Sequence, residues 1–233
     1  MGLFAEAIAW IFSADRLTDL SPLPLLIGQH VYYTVVSVLI ASLIAIPVGW
    51  FIGHTGRGRG FAIGIAGAAR ALPSFGLILL LVLVIGVTYK STAAFIAYVV
   101  LAIPSILAGA YAGFDAIDRT ITDSARAQGM TEWQVLWRVE VPLGLPLLIG
   151  GIRAGTLQVV ATVVLAAYVG LGSLGLPIIQ GLALRRFDQM LGAALVIVAL
   201  AVLLDGLLAI AQRLADARSN PGRQTLRSRT VSA

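Results

Sequence analysis

The residues able to do chemistry in this 233-residue chain fall into two sets. The first lies in a polar stretch at 120–142, TITDSARAQGMTEWQVLWRVEVP, and comprises Asp123, Ser124, Ala125, Arg126, Gly129, Glu132, Trp133 and Pro142. Carboxylates, an arginine, small residues and tryptophans at this spacing offer ion pairs, close backbone approach and aromatic contact. That is the chemistry of docking another protein. The second set is Arg70, Arg153 and Asp205, ionisable residues inside apolar runs. Each costs roughly 2.5–3.5 kcal/mol there on insertion scales, so each must face protein or water and have a partner. No catalytic constellation accompanies them. The two histidines, His30 and His54, stand at opposite ends of one apolar run, roughly 36 Å apart along a helix. With no cysteine there is no disulfide framework or thiolate chemistry, and no metal cluster is evident. The glycine-rich GHTGRGRG at 53–60 lacks both the G-x-x-x-x-G-K-S/T pattern and a preceding strand, which argues against a nucleotide cradle.

The elements that position these groups are membrane helices. The chain is 59% hydrophobic and 12% charged, far outside the range of a soluble domain. Its net charge of +5 is spread over short loops and a tail, not gathered on a folded face, so it reads as a topology signal and not as nucleic-acid binding. Residues 3–12 are apolar but too short to cross a bilayer, which takes about 20 helical residues, and they predict an interfacial helix. Residues 1–10 carry Glu6 and no basic region, unlike a cleavable signal. Thr18, Ser21, Pro22 and Pro24 predict a loop, and five spans follow at 31–53, 61–86, 93–114, 143–168 and 190–212. Pro47 is expected to kink the first, and a neighbouring helix can satisfy the carbonyl it frees. The organisation is an extracytoplasmic segment 1–30, a transmembrane domain 31–212 containing the polar loop 115–142, and a basic cytoplasmic tail 213–233 of disordered composition that attracts anionic lipid.

With the N-terminus outside, the inner side holds Arg57, Arg59, Arg119, Arg126, Arg138, Arg213, Arg218, Arg223, Arg227 and Arg229. The outer side holds only Arg16, Lys90, Arg185 and Arg186. Basic residues are kept on the cytoplasmic side of short loops, so the arrangement is N-out/C-in and the polar loop is cytoplasmic. That loop reads as two short helices. Thr120 and Asp123 have the spacing of a capped first turn, Gly129 supplies a left-handed C-terminus, and Thr131 with Gln134 restarts a separate element over 132–138. Trp133 and Trp137 share a face, either for docking or for anchorage at lipid headgroups. Arg126 is expected to have few partners of its own, and Glu132 to pair with a basic residue on a partner or to remain a solvated charge. Counted along their helices, Arg70, Arg153 and Asp205 lie about 14, 15 and 10 Å deep. Asp205 is therefore expected to pair with Arg153 or Arg70, as a packing device or to leave one arginine free beside an aqueous path. Arg70 is favoured for that role because Pro73 and Gly76 could open its helix.

Asp123-Ser124-Ala125, Gly129, Val139, Val141 and Pro142 fit the spacing E-A-A-x-x-x-G-x9-I-x-L-P, with Asp123 for Glu and Ser124 for Ala. The motif resembles that of the membrane subunits of bacterial ABC importers. Residues 71–76 (ALPSFG), 170–175 (GLGSLG) and 187–194 (FDQMLGAA) are similar to the permease subunits for glycine betaine, proline, choline and carnitine, most of all the actinobacterial type. The resemblance implies an all-α type I importer permease in the bacterial cytoplasmic membrane, with the polar loop as its coupling helix. It also implies three protein partners: a cytoplasmic ABC ATPase that alone binds ATP, a second permease subunit, identical or homologous, and an extracytoplasmic substrate-binding protein. The chain itself would hold no cofactor and catalyse nothing. Pro73, Gly170, Gly172 and Gly175 would then belong to an outer gate or a contact for the binding protein, the alternative being an ordinary flexible connection. The rival readings are an ion-coupled transporter or channel subunit, which needs more acidic residues in its spans, and an intramembrane enzyme.

Overall fold

The computed structural model describes residues 2–14, 20–60, 64, 67 and 71–219, and these are helical almost throughout. A backbone in lipid must satisfy its own polar groups, which is why apolar runs of this length become helices. In chain order the α-helices are α1 (Leu3–Ile11), α2 (Leu23–Thr55), α3 (Ser74–Ile85), α4 (Lys90–Asp115), α5 (Arg119–Ala127), α6 (Glu132–Val135), α7 (Val141–Val163), α8 (Gly175–Ala183) and α9 (Phe187–Ser219). Among the described residues, four stretches are long and apolar enough to cross a membrane: Leu23–Thr55, Val87–Asp115, Glu132–Val169 and Phe187–Ser219. The apolar helix α3 is shorter, at 12 residues. The first part of the span expected at 61–86, including Arg70, lies largely outside the described residues.

Several boundaries move. The helix α2 begins at Leu23, not at 31, because Pro24 falls in its first turn, where a missing N–H costs nothing. The helix α9 runs on to Ser219, so the expected disordered tail starts as helix. Its end is fastened by Ser219 Oγ, which donates to Pro142 O at 2.7 Å. Between the spans expected at 143–168 and 190–212 lie a turn and α8.

Contacts group the chain into two units. The first comprises Met1–Ile40, Ala71–Ala102 and Thr156–Asp205. One core cluster within it is Trp10, Leu23, Leu26, Leu174, Ala193 and Leu200. The expected interfacial helix is α1, and its Ala7 and Trp10 are buried. A Cβ at Gly192 would lie 2.5 Å from the Trp10 ring, so α1 packs directly on α9. Buried polar side chains here bond to backbone: His30 Nε2 donates to Val160 O at 3.1 Å and Thr34 Oγ1 to His30 O at 2.8 Å.

The second unit comprises Ala41–Arg70, Ile103–Gly155 and Gly206–Ala233. Its α4 and α7 touch backbone to backbone. A Cβ at Gly109 would meet Gly151 Cα at 2.7 Å, and one at Gly113 would meet Gly144 O at 2.6 Å. Small residues permit such approach where lipid supplies no hydrophobic drive between helices. Gly109→Ala should therefore cost about 1–3 kcal/mol through overpacking. Gly206→Ala, with nothing within 4 Å of the added atom, should be neutral or stabilising. Thermal unfolding of the purified chain in detergent checks this, and equal melting temperatures for the two variants would refute the close contact.

Candidate protein-docking site

The polar loop lies wholly within the second unit. Asp118 caps α5, its carboxylate accepting the Thr120 N–H at 2.9 Å. That bond holds the Asp118 pKa below the usual carboxylate value. Its stabilising effect is therefore present above about pH 4, the unfolded value, and lost as pH falls through the lower folded one. The expected cap, Thr120, instead lies inside the helix, and its carbonyl accepts Ser124 Oγ at 2.6 Å. A cap must come from an extended residue. Asp118, at φ −61° and ψ 127°, is that residue.

The C-terminus of α5 closes as the sequence predicts. Gly129 has φ +84°. The Gly129 N–H donates to Arg126 O at 2.9 Å and the Met130 N–H to Ala125 O at 3.2 Å. Together these are the two bonds of a Schellman motif. The predicted capping box follows at once: Thr131 N donates to Gln134 Oε1 at 2.9 Å and Gln134 N to Thr131 Oγ1 at 3.3 Å. The second helix is not a separate element, however. A π-turn over Leu136–Glu140 joins α6 to α7, and the helical stretch continues to Val169. Pro142 cannot donate to the carbonyl four residues back, and the widened turn ahead of it lets the helix run through.

The charges bind one another. The Arg126 guanidinium, expected to have few partners, donates to Glu132 at 2.9 and 3.1 Å and to Asp123 at 3.2 Å. The bond to Glu132 is the main reason its pKa is raised. These exposed pairs are each worth at most about 1 kcal/mol, yet they fold α5 onto α6 across the Gly129 turn. Two residues with no assigned role complete the set. His54, at the end of α2, places Nδ1 2.5 Å from Glu140 Oε2 and Nε2 3.5 Å from Glu132 Oε2. The Glu140 side chain is only 8% exposed. Nothing in the pattern signals the His54–Glu140 pair, because its members are 86 positions apart.

Aromatic rings form a second line of attachment. Trp133 meets Trp137 at 5.5 Å and Trp137 meets Trp50 at 5.6 Å, both edge to face, while Trp50 stacks on Phe114 at 6.1 Å. Trp137 thus anchors the loop to α2, whose Trp50 in turn stacks on α4, and Trp133 is 68% exposed. The loop also carries an open groove of about 440 Å³ lined by Thr120, Ile121, Ser124, Ala125, Gln128, Met130 and Val139. The loop therefore presents an internally bonded surface with an exposed aromatic pair, Trp133 and Trp137, and a groove whose lining includes Ser124 and Ala125.

The other expected site residues are placed as follows. Arg153 Nη1 donates to Gln212 Oε1 at 2.6 Å. Both residues line a cavity of about 780 Å³, together with Asp118, Arg213 and Asp216. Asp205 is half-buried on α9, and Arg70 lies outside the described residues. In the first unit, Pro73 is the extended residue before α3. Gly170 and Gly172 have φ +70° and +76°. Their turn is held by Lys90 Nζ donating to Gly170 O and by Ser173 N donating to Gln29 Oε1, each at 3.0 Å. Gly175 begins α8 so close to the Val164 carbonyl that no side chain fits. This turn is bonded, not a loose connection.

Comparison with known proteins gives a consistent picture. The profile of the family described as "Binding-protein-dependent transport system inner membrane component" matches residues 45–220. The chain is 29% identical to the glycine betaine/carnitine/choline transport system permease protein OpuCB of Bacillus subtilis (strain 168), over 80% of this chain and 85% of that one. It is 32% identical to the osmoprotectant import permease protein OsmW of Salmonella typhimurium (strain LT2), over 77% and 85%. Among solved structures, a chain of the MetNI methionine ABC transporter in an inward-facing conformation superposes with a TM-score of 0.70. The match has 21% identity and covers 81% of this chain and 93% of that one.

The Gly129 turn is testable by itself. A Cβ there would meet no neighbour, so the cost of Gly129→Ala is the left-handed backbone alone, about 1–2 kcal/mol. Gly129→Asn should cost less. Hydrogen exchange at the Gln128 and Met130 amides should quicken more in the alanine variant than in the asparagine one.

Proposed function

Because the chain belongs to the family of binding-protein-dependent transport system inner membrane components, we propose that it forms the permease path of an ATP-driven importer for a small osmoprotectant. It is a multi-pass component of the plasma membrane and a non-catalytic part of its transport complex. ATP is hydrolysed by a separate ATPase, and substrate is delivered by a binding protein outside the membrane.

Five spans run N-out/C-in. The loop at 115–142 lies in the cytoplasm and receives the ATPase through Asp123, Ser124, Ala125, Arg126, Gly129, Glu132, Trp133 and Pro142. Support for docking comes from one observation above the others: the Schellman turn and capping box lock α5 and α6 into a pair whose Trp133 ring is 68% exposed and meets Trp137 at its edge. A rigid pair passes on a push that a flexible loop would absorb. Support for the orientation is the distribution of basic residues.

A second permease subunit, identical or homologous, completes the path. Only 11% of the most apolar window of α9 is buried within the chain, so this helix needs lipid or another apolar helix against it. Osmoprotectants of the glycine betaine, choline or carnitine type are the substrates, supported by the names of the related permeases. Pro73 and the bonded turn of Gly170, Gly172 and Gly175 serve the outer gate or the contact with the binding protein.

Co-purification of the tagged chain with its ATPase tests the docking. Wild type should retain the ATPase and Gly129→Asp should lose it. In proteoliposomes, uptake should stop when ATP is withheld while an ion gradient is intact; uptake driven by the gradient alone would overturn the reading.

A further inference from the structure

His54 ends the longest apolar stretch of the N-terminal half and faces two carboxylates that come from another part of the chain. Its Nδ1 lies against Glu140 Oε2 at 2.5 Å, and its Nε2 against Glu132 Oε2 at 3.5 Å. A ring with one nitrogen on each side is the natural piece for such a gap, and the protonated ring donates from both. Glu140 is nearly buried, and His54 is the one partner described for it. Glu132 also accepts both bonds from Arg126, which holds Asp123. The result is an unbroken polar chain, Asp123–Arg126–Glu132–His54–Glu140, running from α5 through α6 to α2 and on to the π-turn that leads into α7. Glu140 occupies the unspecified position between the two aliphatic residues, Val139 and Val141, ahead of Pro142, so the docking pattern itself gives it no part.

We propose that His54 is a positioning residue. Clasped between Glu140 and Glu132, it ties the end of α2 to the docking loop, so that displacement of the loop by the ATPase is handed to α2 as one rigid movement. This rests on the docking role given to the loop above. The joint is a strut that stays closed throughout the cycle, not a latch that opens. The Trp137–Trp50 contact joins the same two elements beside it, and two attachments prevent the rotation that a single one would allow.

The experiment uses the complete complex of permease, ATPase and binding protein in proteoliposomes. Replacing one member alone would leave a buried group without its counterpart and confound folding with coupling. The informative variant is therefore the double change His54→Gln with Glu140→Gln, which removes both titratable groups and keeps amide hydrogen bonding. It should retain the ATPase on co-purification and hydrolyse ATP, while substrate moved per ATP falls about tenfold, within the 5–150-fold range of ordinary coupling free energies.

The chain contains no cysteine, so a second variant, His54→Cys with Glu140→Cys, can be bridged at that pair by a short reducible bis-thiosulfonate linker. Bridging should restore transport and reduction should remove it again. A complex in which the double glutamine variant moves substrate at the wild-type ratio overturns the proposal. So does one in which bridging arrests transport, since a joint that must open is not a strut. Loss of the ATPase from the glutamine variant, with wild type retaining it, also overturns it, because the pair would then shape the docking surface instead of transmitting. Failure of wild type itself to retain the ATPase counts against the docking role and is distinct from all three.

Discussion

The backbone contact between α4 and α7 is the constraint on which the site depends. Gly109 lies against Gly151 and Gly113 against Gly144 with no room for a methyl group. The polar loop is the connection between these two helices, so their contact fixes where both of its ends must lie. A loop of this length between separated helices would have many conformations. Between helices pinned to this distance it folds back on itself, and the caps and turn bonds then select one arrangement.

Within that arrangement the loop spends its polar groups on itself. The amides of the Asp118 cap, the Gly129 turn and the Thr131 box are all bonded, and Arg126 is held by Glu132 and Asp123. In the proposed docking, a partner would meet a surface that needs no reordering on contact, with the conformational cost of binding largely met in advance. Left outward are the Trp133 ring, the groove whose lining includes Ser124 and Ala125, and the exposed but mutually paired side chains of Asp123, Arg126 and Glu132.

The first unit follows the same economy with a different result. His30, Thr34 and Ser173 direct side-chain bonds to backbone carbonyls, and Gln29 and Lys90 fasten the turn at 170–173. In an apolar medium each such bond is retained because its alternative is an unsatisfied group. The turn is thereby made as definite as the helices beside it. This differs from the flexible connection that its glycines alone allow, because two of those glycines are needed for their left-handed backbone.

Much of the fold was legible in the chain because hydrophobic length, turn chemistry and charge placement are local properties. Most of the apolar runs, the Gly129 stop and the Thr131–Gln134 box follow from neighbours in sequence, and each of these has its counterpart among the described residues. The misread features share one cause. The choice of Asp118 over Thr120 as cap, the partners of Arg126, the continuation of α6 through the π-turn into α7, and the burial of Trp10 on Gly192 each depend on what lies opposite in space. The pair His54–Glu140 is the clearest case. Neither residue carries a signal, since a histidine at a helix end and a glutamate before a valine and a proline are ordinary, and 86 positions separate them. By itself the sequence determined that this is a membrane-spanning helical protein with a structured polar loop, because periodicity and composition are enough to decide which backbone segments fold as helix. Only the tertiary structure decided which charges meet, because an ion pair is selected by distance in space and sequence spacing carries no record of that distance.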